Sequence, residues 1–329
     1  MPAKKKKPTK PKKTKTTSKL PALELVQRAI AAISIIIIIV SIPYPSFSKG
    51  ENHAVSTTKK IPMDLPVAPR IPIKQQVATT PQITAEAAYV LDLNSSTPLY
   101  KRNENRRLMP ASTTKIMTAI IALENYPLDK VITITQEDAS IGQTMKLVRG
   151  EQISVESLLY GTLVGSGNDA ALALALAYPQ TGYSGFVNAM NAKAQELHLS
   201  NTHFSNVSGV ETPEHYSSAV DLARLAKYAL SNPTFKQMAS TKSITLSDTL
   251  GKTKHYLTNT NQLLNQVDGM YGVKTGWTEN AGECLITAVE RDGNHIITVV
   301  LNSQNRFQDS AVLIDWIFNS FNWEEPKLL

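Results

Sequence analysis

Cys284-Leu285-Ile286-Thr287-Ala288-Val289, then Arg291-Asp292-Gly293-Asn294, then His295-Ile296-Ile297-Thr298-Val299-Val300-Leu301 is the stretch that decides the fold. Two apolar, β-branched runs flank an Asp-Gly pair. Such runs favour extended backbone, and Asp-Gly supplies the tight turn of a hairpin. A related pattern opens the regular part of the chain. Ala88-Tyr89-Val90-Leu91-Asp92-Leu93 reads as a strand, Asn94-Ser95-Ser96 as a turn, and Pro98-Leu99-Tyr100 as the start of a return strand. Between these ends the spacing becomes helical. Residues 112–124 place Ile116, Met117, Ile120 and Ile121 on one face. Residues 154–178 read as two helical stretches broken at Gly165-Ser166-Gly167-Asn168, and 183–197 and 218–230 read as further helices. Residues 308–321 read as a closing amphipathic helix. The layout is α+β. An antiparallel sheet is built from both ends of the domain, flanked by helices, with an inserted helical subdomain.

Composition sets the outer limits. The chain has 329 residues, 42% hydrophobic and 19% charged, enough apolar mass for a core. Its formal net charge is +7, but residues 1–28 hold nine lysines and Arg28 against Glu24, a net +9, which leaves −2 for the rest. The basic character therefore belongs to the tail. The single cysteine, Cys284, excludes an intramolecular disulfide and a Cys-based metal cluster. Its apolar neighbours make it a structural thiol. The six histidines are dispersed, with no metal-ligand spacing, so His203 and His215 read as structural or loop-anchoring. No cofactor and no metal is implied.

The front of the chain divides by composition. Residues 1–22 form a Lys/Pro/Thr-rich tail expected to be disordered. Residues 23–42 are mainly apolar: Glu24, Gln27 and Arg28 sit at the inner end, and 29–42 carry no charge, with a run of isoleucines that leaves no polar face. A cleaved signal peptide and an uncleaved signal-anchor both fit, and a length of about 20 residues favours the anchor. Basic residues stay on the cytoplasmic side, which puts the body outside. The basic tail beside this run reads as a topology and anionic-lipid signal rather than a nucleic-acid site. Residues 43–83, rich in proline, read as an extended spacer. Residues 84–329 read as the folded body.

Three short motifs carry chemistry. Met109-Pro110-Ala111-Ser112-Thr113-Thr114-Lys115 puts a serine and a lysine one helical turn apart at a helix start. Free N–H groups there suit an oxyanion. A lysine held in the first turn of an apolar helix loses basicity by burial and can take the serine proton. Ser166-Gly167-Asn168 offers a hydroxyl for proton relay and an amide to hold a peptide group. Val273-Lys274-Thr275-Gly276-Trp277 lies before the hairpin, so on a strand. Lys274 and Thr275 suit a carboxylate, and Gly276 lets a substrate backbone approach the sheet edge. Each motif alone is weak. S-x-x-K also describes a helix cap with a solvated lysine, and Gly-Ser-Gly-Asn is an ordinary turn.

All three in this order form the signature of penicillin-binding proteins and class A β-lactamases. Residues 84–320 further resemble the D-alanyl-D-alanine carboxypeptidases. The matching stretches include Pro110–Thr118, Leu158–Gly161, Ser166–Ala171, Thr202–Phe204, His215–Ser217 and Gly272–Gly276. The resemblance implies Ser112 as nucleophile, Lys115 as base and Ser166 as proton relay. It implies Asn168, Lys274, Thr275 and Gly276 as substrate-binding residues. The backbone N–H groups of Ser112 and Trp277 would form the oxyanion hole, which places Trp277 with the substrate-binding residues; its side chain is not required for this, and simple packing explains it as well. Arg306 matches an arginine that holds the substrate's terminal carboxylate, although a surface salt bridge explains it nearly as well. The implied substrate is a peptidoglycan stem peptide ending in D-Ala-D-Ala, with β-lactams as covalent inhibitors. Asn259-Thr260-Asn261 lacks the basic residue that some members carry there, which leaves strict carboxypeptidase specificity open.

The alternatives are a DD-endopeptidase of the same family, a class A-type β-lactamase and a non-catalytic β-lactam or cell-wall sensor. The β-lactamase needs a glutamate to activate water, and Glu196 is its candidate. The sensor is disfavoured because all three motifs are intact.

Overall fold

The computed structural model describes residues 68–75, 79–135 and 142–326. The expected tail and apolar span, and most of the spacer, lie outside the described residues. Among those described, no helix is long and apolar enough to cross a membrane.

The expected sheet is present and has five strands. They are β2 (Ala87–Asp92), β3 (Pro98–Arg102), β8 (Met270–Thr278), β9 (Gly282–Arg291) and β10 (Asn294–Ser303). Their order is β3-β2-β10-β9-β8, antiparallel throughout. The two ends of the domain thus meet where β2 lies beside β10. Asp292 and Gly293 both take positive φ in the β9–β10 turn, as the Asp-Gly pair requires. Alternate residues feed two cores. Tyr89, Leu91, Ile286, Ile297 and Val299 face one cluster with the helical region. Val90, Leu285, Val289, Ile296 and Val300 face another, closed by Leu313, Ile314 and Ile317 of helix α7 (Arg306–Ser320). Burial on both faces explains why these strands are apolar without alternation.

The helical insert comprises α1 (Lys115–Asn125), α2 (Val155–Leu163), α3 (Asn168–Leu176), α4 (Gly182–Glu196), α5 (Ala219–Leu230) and α6 (Pro233–Ser240). Helix α1 differs from its expected one-sided pattern, because every residue from Lys115 to Ala122 is buried. It is the central helix of the insert, so it needs no polar face. Among the described residues, three two-stranded ribbons lie outside this sheet. These are β1 (Ile71–Lys74) with β11 (Phe321–Glu324), β4 (Val131–Thr133) with β5 (Gln152–Ser154), and β6 (Ser243–Ser247) with β7 (Lys254–Thr258).

The first ribbon corrects two expectations. The spacer was expected to reach residue 83, yet residues 71–74 pair with 321–324. Arg70 adds a bond from Nη2 to the Trp323 carbonyl at 2.6 Å. The closing helix was expected to reach 321, yet it stops at Ser320. From Phe321 the backbone finds a strand partner, and Phe321 and Trp323 alternate inward.

Candidate active site

The turn that carries Ser112 is built under strain. Ser112 lies in a 3₁₀ turn, Ala111–Thr114, that runs straight into α1. Ala111, just before it, has φ +48, a left-handed value costly for a residue with a Cβ. Neighbours on three sides hold the turn. Gly209 has φ +87, and a Cβ there would lie 1.9 Å from the Ala111 carbonyl oxygen. Only glycine lets that loop come so close. On the opposite side, a Cβ on Gly276 would lie 3.0 Å from Ser112 N, from Ala111 Cβ and from the Pro110 oxygen. Gly276, expected to admit a substrate backbone, also lets the backbone of the Ser112 turn come close. From the third side, Thr114 Oγ1 donates to Ala111 O at 2.8 Å and meets His215 Nε2 at 2.7 Å. The hydroxyl hydrogen is used, so His215 donates from Nε2, while its Nδ1 accepts from Ser205 N at 3.1 Å. One donor and one acceptor describe a neutral ring. Burial, with His203 and Lys115 nearby, pushes its pKa down to about 4. His215 is therefore the structural anchor the sequence suggested.

Lys115 is wholly buried. Its Nζ lies 2.9 Å from Ser112 Oγ, 2.7 Å from Asn168 Oδ1 and 2.7 Å from Ser208 O. Burial first, and then the charge of Lys274, holds its pKa well below the ordinary lysine value, against a smaller opposing effect of Asp169. The three contacts fit a neutral amine well. Amide and peptide oxygens can only accept, so they take its two hydrogens. The lone pair is left facing Ser112, whose hydroxyl can donate.

Ser166 and Lys274 form a second serine–lysine pair, from distant elements. Ser166 lies between α2 and α3 with φ +57. Lys274, on β8, is 1% exposed and reaches Ser166 Oγ at 2.8 Å and Thr275 O at 3.1 Å. Burial, with Arg306 nearby, lowers its pKa to about 7. Thr275 Oγ1 meets Thr260 Oγ1 at 2.6 Å. Thus the 259–261 segment faces the strand with a hydroxyl where a cation was missing from the sequence.

These groups open onto one cleft of about 650 Å³, within the usual range for small-molecule sites. Ser112, Ser166, Asn168, Thr275, Gly276, Trp277 and Arg306 line it. Strand β8 ends the sheet among the described residues and forms one wall. The Trp277 side chain is not packed in the core but 62% exposed, on the rim. Nor is Arg306 a surface salt bridge. Its Nη1 donates to Gly276 O at 2.9 Å, and its Nε is buried with no hydrogen-bond partner among the described residues. Cys284 sits behind the wall, buried, its pKa pushed up to about 11 by desolvation, so it stays a thiol. Among the described residues, no group of three or more His, Cys, Asp or Glu side chains is placed to hold a metal.

Sequence reading missed the facing wall. Ser208, Gly209, Val210 and Glu211 line the cleft opposite β8. Asn206 Oδ1 accepts the N–H groups of Ser208, Gly209 and Val210 at 3.2, 2.8 and 3.1 Å, which shapes the loop. Glu211 ties it to the end of β8 by accepting from Asn280 N at 2.7 Å. Bonds from Thr278 and from the Asn280 backbone hold the Glu211 carboxyl below its usual pKa. The available signal was Asn206 three residues before Gly209, a common turn arrangement. Glu196 lies elsewhere. It pairs with Lys193 on α4 at 2.8 Å and is not among the cleft residues.

Comparison with known proteins agrees with this geometry. A family model described as D-alanyl-D-alanine carboxypeptidase matches residues 74–305. The chain is 33% identical over 270 residues to the D-alanyl-D-alanine carboxypeptidase DacF of Bacillus subtilis, covering 79% of this chain and 69% of that protein. It is also 33% identical over 254 residues to a D-alanyl-D-alanine endopeptidase of Pseudomonas aeruginosa, covering 75% and 79%. Among solved structures, the Streptomyces K15 DD-transpeptidase superposes with a TM-score of 0.70 at 34% identity, over 73% of this chain and 99% of that one.

Proposed function

Because the chain belongs to the D-alanyl-D-alanine carboxypeptidase family, we propose that Ser112 is its acyl-transfer nucleophile and Lys115 the base. The chain is a serine peptidase, a hydrolase with a mixed antiparallel fold shared with DD-transpeptidase. The observation that supports these roles is the buried Lys115 amine, 2.9 Å from Ser112 Oγ, with two acceptor oxygens occupying its hydrogens.

The reaction follows from that arrangement. Ser112 Oγ attacks the carbonyl carbon of the penultimate D-Ala and its proton passes to Lys115 Nζ. The oxyanion forms between the backbone N–H groups of Ser112 and Trp277, which the missing Cβ of Gly276 lets approach. The C–N bond then breaks. A proton delivered through Ser166, backed by Lys274, leaves with the terminal D-Ala amine. Lys274, Thr275 and Arg306 hold the substrate's terminal carboxylate, and Asn168 holds a peptide group of the donor. Water hydrolyses the Ser112 ester and regenerates the hydroxyl. A β-lactam carbonyl enters the same path and stalls as the acyl-enzyme. The absence of Glu196 from the cleft speaks against a class A-type water activation.

A pentapeptide ending in D-Ala-D-Ala is the test substrate. The expected product, by mass, is the peptide shortened by one D-Ala. Cleavage confined to cross-linked dimers would instead make the enzyme an endopeptidase. Wild type should label with a fluorescent penicillin and Ser112→Ala should not. Equal labelling would displace Ser112 as nucleophile.

The apolar run at 23–42 supports a single-pass anchor with the catalytic body outside the cell membrane. N-terminal sequencing of the protein from washed membranes separates the cases. An intact start supports the anchor, and a start beyond residue 42 means a cleaved signal.

A further inference from the structure

A buried histidine–glutamate contact lies outside the residues assigned above. His255 of β7 and Glu151, at the end of the loop before β5, are 2% and 1% exposed at their side chains, with Nε2 2.5 Å from Glu151 Oε1. The other ring nitrogen, Nδ1, lies 2.8 Å from the Met145 carbonyl oxygen. A carbonyl has no hydrogen to give, so Nδ1 carries one and donates it. Glu151 Oε2 accepts from Val148 N at 3.0 Å, which closes the loop on itself.

That loop touches the site at several points. Met145 N and Leu147 N donate to the two oxygens of buried Asp169 at 3.0 and 3.1 Å. Asn168 N donates to Gln143 O at 2.7 Å. Asn168 Oδ1 is the acceptor for Lys115 Nζ. A continuous set of short bonds therefore runs from the His255 ring through Met145 and the 168–169 helix start to the amine beside Ser112.

We propose that His255 is a positioning residue for acylation, acting through its Nδ1–H bond to Met145. The bond fixes the height of residues 143–147 against α3. That placement sets the Asn168 amide, which aims the lone pair of Lys115 at Ser112. The proposal rests on the reading of Lys115 as base. A misplaced amide leaves the amine free to turn, and a small misalignment of reacting groups costs much of the rate. The Glu151 arm has a different task. It satisfies the second ring nitrogen, which would otherwise be a buried unpaired group.

Three substitutions separate the two arms. Glu151→Gln still offers Nε2 a hydrogen-bonding partner, since its amide can donate or accept, and leaves Nδ1–H on Met145. His255→Asn places its amide where Nδ1 stands, keeps the Met145 bond and gives up the Glu151 one. His255→Gln reaches Glu151 and gives up Met145. The measurement is the second-order rate of acylation by a fluorescent penicillin, taken beside Tm and near-UV circular dichroism. Lys115→Ala serves as the control. Glu151→Gln and His255→Asn are expected within threefold of wild type, and His255→Gln at least tenfold slower while folded. A folded His255→Gln acylating at the wild-type rate overturns the proposal. So does a folded His255→Asn as slow as Lys115→Ala, which decides the matter even where His255→Gln does not fold. Normal acylation by Lys115→Ala would instead fail the base assignment itself.

Discussion

Ser112–Lys115 and Ser166–Lys274 are the same chemical pair built in two ways. Each sets a serine hydroxyl within 3 Å of a buried lysine nitrogen. In the first, two residues three positions apart in one helical turn supply both groups. In the second, a loop and a strand 108 residues apart meet across the cleft. The surroundings differ too. The nitrogen of Lys115 has an amide and a peptide oxygen beside its serine, whereas Lys274 has one peptide oxygen and lies nearer Arg306. Burial discourages charge on both. Two acceptors use both hydrogens of a neutral Lys115, so it suits proton abstraction. Lys274 keeps a spare donor direction, suited to an anion and a shared proton. Chemistry that needs a base and an acid in one cleft can divide the tasks this way.

The largest expected effect breaks the first pair. Lys115→Ala should slow acylation by about 10²–10⁴-fold, the range for losing a general base. The variant also leaves a buried void and two acceptor oxygens without their donor, so some loss of Tm is expected beside it. Second comes Ser166→Ala, which breaks the other pair at its hydroxyl. A loss of about 10²-fold is expected in D-Ala release. A smaller loss is expected in penicillin labelling, because ring strain helps break the β-lactam C–N bond and its nitrogen depends less on a positioned proton donor. Equal losses in both assays would make Ser166 part of the first pair's machinery and end the division of tasks. Third is Gly276→Ala. Its Cβ would press on Ser112 N at 3.0 Å, so the strand or the turn must move by a few tenths of an ångström. About a tenfold loss of acylation is expected, with substrate KM little changed. A change confined to KM would return Gly276 to the substrate-facing role expected from the sequence.

The same contrast explains what the sequence could disclose. Ser112 and Lys115 are neighbours by helix geometry, so spacing alone places them together. The five-strand sheet was legible because its strands are apolar runs with an Asp-Gly turn, and the helices because of their periodicity. That Ser166 meets Lys274 was carried only by the order of three motifs, since no local pattern links residues so far apart. The β6–β7 ribbon gave little sign. Its outward positions are polar or exposed, as with Tyr256, and its inward anchors are Leu257 and His255. Its place depends on tertiary contacts such as His255 with Glu151 rather than on its own pattern. The 71–74 strand was hidden by proline-rich surroundings and by a partner at 321–324. The loop wall at 208–211 was missed because a turn sequence says where a chain bends and not what it then faces. For Gly276 the residue type was read correctly, but its crowded neighbour is visible only in three dimensions.

The smallest effect sharpens the comparison through pH. Lys274 has a folded pKa lowered from its ordinary value to about 7 by burial and by Arg306. In the unfolded chain it returns to about 10.4. Between those values the unfolded chain binds the extra proton and the folded one does not, so stability rises with pH across that window. Below about 7 both states are protonated and the cost of the buried charge is fully present. Lys274→Met removes the titration. Its Tm advantage over wild type should therefore be greatest below pH 7 and shrink as pH climbs toward 10. Activity should move the other way. If the cation holds the substrate carboxylate, kcat/KM for the peptide falls as pH rises through the free-enzyme value near 7. In Lys274→Arg the guanidinium stays charged, so whatever rate survives should lose this alkaline limb. An alkaline limb that persists unchanged in Lys274→Arg would assign that titration to another group and leave Lys274 acting as a neutral hydrogen-bond donor, much closer to Lys115 than the present division allows.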